Sequence, residues 1–181
     1  MAKTSYAIAL GSNRRSRHGS PAATVAAAAH PIGAEALSTI RTTLALGPAG
    51  RSFANAAALV TSRLAPDELI VRLKEIERGF GRRGARHWGP RVLDLDILLW
   101  SEGIWAGPGL VIPHPAFRER HFVLEPLAEL VPDWRDPVGG ASVRQLLHRL
   151  SRRRAVDPPD PHARGNAPTG AHSSVGRATD F

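Results

Sequence analysis

The run VLDLDILLW (residues 92–100) constrains the fold more than any other part of the chain. Side chains alternate between the faces of a strand, so Leu93, Leu95, Ile97 and Leu99 form one apolar surface, while Asp94 and Asp96 project together from the other. Such a strand needs a hydrophobic layer under one face and, on the other, surroundings that tolerate two neighbouring acids. Alternate α-carbons of a strand stand roughly 6.5–7 Å apart, so the two carboxylates can converge on one small volume. Burying them is costly unless a cation or a proton compensates. Two readings are open: a site for a divalent cation, or a strand end with Asp96 in solvent and Asp94 paired to Arg91.

The segments around this strand supply its partners. Residues 5–13 (SYAIALGSN) read as a strand closed by a turn, and the alanine-rich stretch 21–37 starts as a helix that breaks near Pro31 and Gly33. Residues 37–43 and 55–62 alternate well enough for two more strands. The strongest helix opens at Pro66, with Asp67 and Glu68 against the positive end of its dipole, and Leu69, Leu73, Ile76 and Phe80 forming its apolar stripe. Gly79, Gly81 and Gly84 end it and open a basic, glycine-rich loop over 80–89, a candidate lid that delivers the chain into the acidic strand. Residues 102–109 read as a turn region, 110–115 as a short extended piece, and the stretch around Pro126 as helix. Ser142 caps a last helix whose Val143, Leu146, Leu147 and Leu150 share a face. Strands and helices joined by short connections predict an α+β sandwich, a mostly antiparallel sheet with helices packed on it.

We expect one domain over residues 1–154 and a disordered tail over 155–181, because the tail has four prolines and almost no aliphatic residues. Its end, AHSSVGRATDF, back-translates to a sequence resembling part of a lysine transfer-RNA gene, which implies a reading frame that runs into such a gene. The chain has no cysteine, so disulfides and thiolate metal sites are excluded. It shows neither a signal peptide nor an apolar run long enough for a bilayer, which predicts a cytoplasmic protein with no membrane partner.

The net charge of +8 predicts an anionic partner, and its distribution narrows the choice. Arg72, Lys74, Arg78, Arg82, Arg83, Arg86 and Arg91 crowd the approach to the two aspartates, and Arg118 and Arg120 follow the sequence IPHP. No Walker A sequence and no GxGxxG turn is present, so side chains must hold any phosphate. Guanidinium groups suit that task, and magnesium commonly uses one or two carboxylates together with substrate phosphates. Acids among arginines therefore point to a magnesium–triphosphate complex. A module built only for a nucleic-acid backbone gains nothing from two adjacent acids. Another metal-dependent nucleotidyl or glycosyl transferase using the DxD pair is a third reading.

YAIALGSN, RHWGPRVLDLDILLW and IPHPAFRERHFVLEPLAEL, in that order along the chain, strongly resemble the 6-hydroxymethyl-7,8-dihydropterin pyrophosphokinase family, over about residues 5–150. The resemblance implies a ferredoxin-like fold with a long cleft, and transfer of the β,γ-pyrophosphate of ATP to a pterin hydroxymethyl group with release of AMP. It implies Asp94 and Asp96 as ligands of two magnesium ions, and Arg82, Arg83 and Arg91 as phosphate-handling catalytic residues. Glu77, Ile97, His114 and Arg120, with Arg82 and Arg91, match its ATP contacts. On the pterin side it implies a ring sandwich between Phe53 and Phe122, with Asn55 reading the polar edge. Thr43, Leu46 and Asp94 stand beside them. The implied partners are these small molecules alone, with the protein a monomer that binds no nucleic acid. The chain differs from the usual pattern at Leu44 and Ala45, where proline is common, and at His87, Gly109 and Val111.

Overall fold

The computed structural model describes residues 2–43, 53–81 and 92–156. Its central strand is β1 (Thr4–Ser12), followed by α1 (Pro21–Ala29), β2 (Ala34–Leu37), β3 (Arg41–Thr43), β4 (Phe53–Ser62), α2 (Pro66–Gly79) and β5 (Asp94–Trp100). The sheet runs β2-β4-β1-β5, with β3 also on β4 and every pair antiparallel. With β2 and β3 taken together as one interrupted edge strand on β4, this strand–helix–strand–strand–helix–strand order is the ferredoxin-like arrangement.

Local chemistry sets the helix limits. The Ser20 hydroxyl accepts the Ala23 N–H to open α1, and past its end Gly33 adopts a φ of 71°. Glu68 reaches back to the Ala65 N–H at 2.8 Å to open α2, and Gly81 follows it with a φ of 103°. Val25 and Ala28 of α1, with Leu69 and Leu73 of α2, pack on Tyr6, Ile8, Leu10, Leu93, Leu95 and Ile97.

A third layer covers the opposite face. After β5, a hairpin of β6 (Trp105–Gly107) and β7 (Leu110–Ile112) joins the first core through Trp105, Leu110 and Ile112, and a 3₁₀ turn (Phe117–Glu119), α3 (His121–Leu130) and α4 (Val143–Val156) form the third layer. Phe117, Val123, Leu124, Leu127 and Val143 bury Ala7, Ala57, Leu98 and Leu99 of the sheet. Ser142 and Gln145 exchange side-chain and backbone hydrogen bonds at the start of α4, the expected cap. No helix among the described residues is long and apolar enough to cross a membrane.

Three expectations need correction. The predicted strand 37–43 is two strands, because Ser38 turns its hydroxyl to accept the Ala57 N–H and interrupts the ladder. The turn region 102–109 contains β6, which pairs with β7. Leu99 does not share a face with Leu93, Leu95 and Ile97. Ala7 opposes Leu99 while Ile8 opposes Ile97, so Leu98 is an extra residue, and this bulge sends Leu98 and Leu99 together into the α3 layer. Helix α4 runs to Val156, and residues 157–181 lie outside the described residues.

Candidate active site

Register across the sheet assembles the site. Asn55 of β4 stands opposite Gly11 of β1, which stands opposite Asp94 of β5; one row further in, Ala57, Ala9 and Asp96 align likewise. Residues opposite one another share a face, so both acids and Asn55 project from the α3 side. The small residues between them leave the floor open: a β-carbon added at Gly11 would lie 3.6 Å from Asn55 Oδ1 and 4.0 Å from Asp94 Cβ.

Above this floor lies an open cavity of about 80 Å³, lined by Asn55, Asp94, Asp96, His114, Arg120 and Phe122 among others. A second cavity, of about 360 Å³, is lined by Ile70, Lys74, Ile97, Gly109, Leu110 and Val111 and again by Asp96 and His114. Asp96 and His114 thus stand where two chambers meet. The residues matched to the pterin flank one, and the hairpin and α2 flank the other.

The acids are held through the residue between them. Strand β5 pairs with β1 alone among the described strands, and at its other edge the Leu95 N–H donates to Glu77 Oε1 (2.7 Å) while Lys74 Nζ donates to the Leu95 carbonyl (3.0 Å). Lys74 also donates to Glu77 Oε1 (2.7 Å), and its Nζ stands 3.8 Å from Asp96 Oδ1. Glu77 is fully buried. Its carboxylate holds the strand's backbone. Lys74 was not among the expected site residues, although its i,i+3 spacing from Glu77 on a helix was visible. Ile97, only 2% exposed, is a core residue that borders the larger cavity.

The matched residues around the chambers fall as follows. His114 accepts the Ala116 N–H on Nδ1 (3.2 Å), so its neutral ring carries the proton on Nε2. Arg120 lines the smaller cavity and lies over the Phe122 ring at 5.9 Å. Phe53 and Phe122 are exposed, at 39% and 42%, and stand outside the core. Phe53 precedes Asn55 by two positions, so it shares that face of β4; Thr43 opposes Phe53 across β3 and β4. Arg41, opposite Asn55, pairs instead with Glu129 of α3. The Thr39 N–H and then the Arg41 guanidinium hold the Glu129 carboxyl below its ordinary range. Arg82, Arg83, Arg91 and Leu46, and with them the expected lid, lie outside the described residues. His18, in the basic turn after β1, stacks at 4.6 Å on Phe80, where that loop begins.

The 3₁₀ turn between His114 and Arg120 is anchored from behind. Arg118 donates from Nε and Nη2 to the two oxygens of Asp136, at 2.7 and 2.5 Å, and Asp136 is 1% exposed. The guanidinium's hydrogen bonds hold the Asp136 carboxyl below the ordinary carboxylate range, outweighing burial.

Two carboxylates on one face, both bordering a cavity, suit a hard cation that takes its remaining ligands from water and a substrate. Among the described residues no group of three or more His, Cys, Asp or Glu side chains could hold a metal unaided. That donor set fits magnesium carried with a phosphate chain.

Comparison with known proteins bears on the whole arrangement. The profile of the family described as 7,8-dihydro-6-hydroxymethylpterin-pyrophosphokinase (HPPK) matches residues 7–132. A 2-amino-4-hydroxy-6-hydroxymethyldihydropteridine pyrophosphokinase from Synechocystis is 41% identical over 106 residues, 59% of this chain and 54% of the relative. One of the same name from Pseudomonas aeruginosa is 47% identical over 95 residues, 52% of this chain and 59% of the relative. The matches thus span a little over half the length of these relatives. Among solved structures, wild-type HPPK-DHPS from Plasmodium falciparum has a TM-score of 0.65 at 13% identity, covering 86% of this chain and 42% of that one, a likeness of fold. With a profile match that takes in both aspartates and the IPHP segment, this chain belongs to the HPPK family.

Proposed function

We propose that the protein transfers pyrophosphate from ATP to the hydroxymethyl group of 6-hydroxymethyl-7,8-dihydropterin, releasing AMP. The observation that carries this reading is the meeting of two chambers at Asp96 and His114, with both acids on the shared floor. One chamber suits a flat heterocycle: Phe53 and Phe122 stand exposed near its mouth and Asn55 offers an amide to a polar ring edge. The other, between α2 and the hairpin, suits the nucleotide. The hydroxyl oxygen forms a bond to the β-phosphorus, the bond from that phosphorus to the α,β-bridging oxygen breaks, AMP departs, and the hydroxyl proton passes to solvent.

In this reading Asp94 and Asp96 hold two magnesium ions, which when bound neutralise phosphate charge and acidify the hydroxyl. The chain's own groups do the rest. His114 offers its Nε2–H, and Arg120, with Arg82, Arg83 and Arg91, offers guanidinium groups to phosphate oxygens. The Arg118–Asp136 pair keeps His114 and Arg120 in place. Both substrates are small molecules, and the acting unit is a cytoplasmic monomer with no nucleic acid involved. The test is AMP formation from ATP with the hydroxymethyl pterin, with and without magnesium. AMP that requires both supports the proposal; ATP breakdown indifferent to the pterin defeats it.

A further inference from the structure

Edge strands leave a row of backbone groups unpaired, and proteins cover them in several ways. Here one turn of α2 does so. Glu77 accepts the Leu95 N–H and Lys74 donates to the Leu95 carbonyl, so two side chains supply the pair of hydrogen bonds that another strand would give. The covered residue is the one between the two acids. The bracket therefore fixes the peptide from which Asp94 and Asp96 diverge.

The bracket is more than an edge cover, because its donor is charged and displaced toward the site. Lys74 Nζ is 3.8 Å from Asp96 Oδ1, and Lys74 lines the larger cavity beside Asp96. Glu77, wholly buried, is the fixed partner that keeps the ammonium there; Asp96, 38% exposed, is the movable one. We infer that Lys74 is a resident counter-cation of Asp96. It offsets the repulsion between Asp94 and Asp96 when no divalent ion is bound, and it competes with that ion for Asp96. When the ion binds, Lys74 retains Glu77 and the Leu95 carbonyl, so the bracket persists while Asp96 turns away. Lys74 and Glu77 are thus positioning residues that set how tightly metal is held. This rests on the proposed metal-dependent reaction, but its test does not require turnover.

The test titrates Mn²⁺ by calorimetry into the full chain saturated with a non-hydrolysable ATP analogue, with the analogue's own metal binding subtracted, alongside melting temperatures. Lys74→Met removes a positive charge next to the ion's site and tightens Mn²⁺ binding roughly three- to tenfold, while Lys74→Arg, which keeps the charge, stays within about twofold of the parent. Glu77→Gln removes the competing anion, commits Lys74 to Asp96 and weakens Mn²⁺ binding. Opposite shifts from two residues in contact cannot come from general loosening of the edge, which would weaken binding in both. Should Lys74→Met not fold, Lys74→Gln carries the same expectation as the uncharged variant. Unchanged or weaker binding on loss of the Lys74 charge overturns the inference, as does absence of Mn²⁺ binding in every variant. A parent chain that forms no AMP yet shows the opposite shifts refutes the pyrophosphokinase reading and leaves this one standing.

Discussion

Asp136→Asn perturbs one buried charge without changing shape. In the folded chain that carboxylate is 1% exposed and receives two hydrogen bonds from Arg118, with a third from the Val138 N–H at 3.1 Å. Breaking a buried ion pair costs about 3–5 kcal/mol. Arg118 remains 30% exposed and keeps some water, and Asn retains one acceptor, so we expect the lower figure of about 2–3 kcal/mol, or roughly 4–12 °C in melting temperature. The pH dependence adds a second constraint. The folded-state pKa lies below its unfolded value near 3.9, so the stabilisation is fully present above that value and is lost as pH falls through the folded pKa. Urea unfolding of both proteins from pH 7 to pH 2.5 reads this directly, because Asn does not titrate. The gap should hold from neutral pH to about pH 5 and shrink only below about pH 4. A gap under about 0.5 kcal/mol at pH 7, or one that shrinks between pH 7 and 5, refutes the reasoning. Because Arg118 lies between His114 and Arg120, the variant should also raise the KM for ATP.

Asp96→Ala should lower kcat by roughly a thousandfold or more while leaving the melting temperature nearly unchanged, since the side chain is 38% exposed; retained turnover defeats the metal assignment. Phe122→Ala, at an exposed ring, should raise the pterin KM roughly three- to tenfold and leave the ATP KM and the melting curve alone, as steady-state kinetics will show. Gly11→Val puts methyl groups into the gap of 3.6 Å between its β-carbon position and Asn55 Oδ1; the pterin KM should rise about tenfold or more, and an unchanged KM means the ring does not sit on this floor.

Features governed by spacing along the chain were legible in the sequence. Alternation over 92–97 placed both acids on one face, and the stripe through Leu69 and Leu73 placed α2 on the sheet. Features governed by a partner distant in sequence were not. The bulge at Leu98 exists because Ile8 and Ala7 of another strand fall opposite Ile97 and Leu99, and nothing in DILLW announces it. The third layer likewise depends on where the 3₁₀ turn and α3 return, not on the pattern of either.

Glu77 shows how a local signal can be present while the partner that gives it meaning lies far away in sequence. It follows Leu73 by four residues, which puts it on the buried stripe of α2, where an acid must find a donor. The expected nucleotide contact says nothing of a partner within the chain. The donors to Glu77, Lys74 one turn earlier and the Leu95 N–H, matter only because β5 has no described neighbour on that side. An edge is a property of strand order, and strand order is set by the whole βαββαβ path. The residues between the acids were readable from the sequence; the reason those acids are held so firmly comes from the topology.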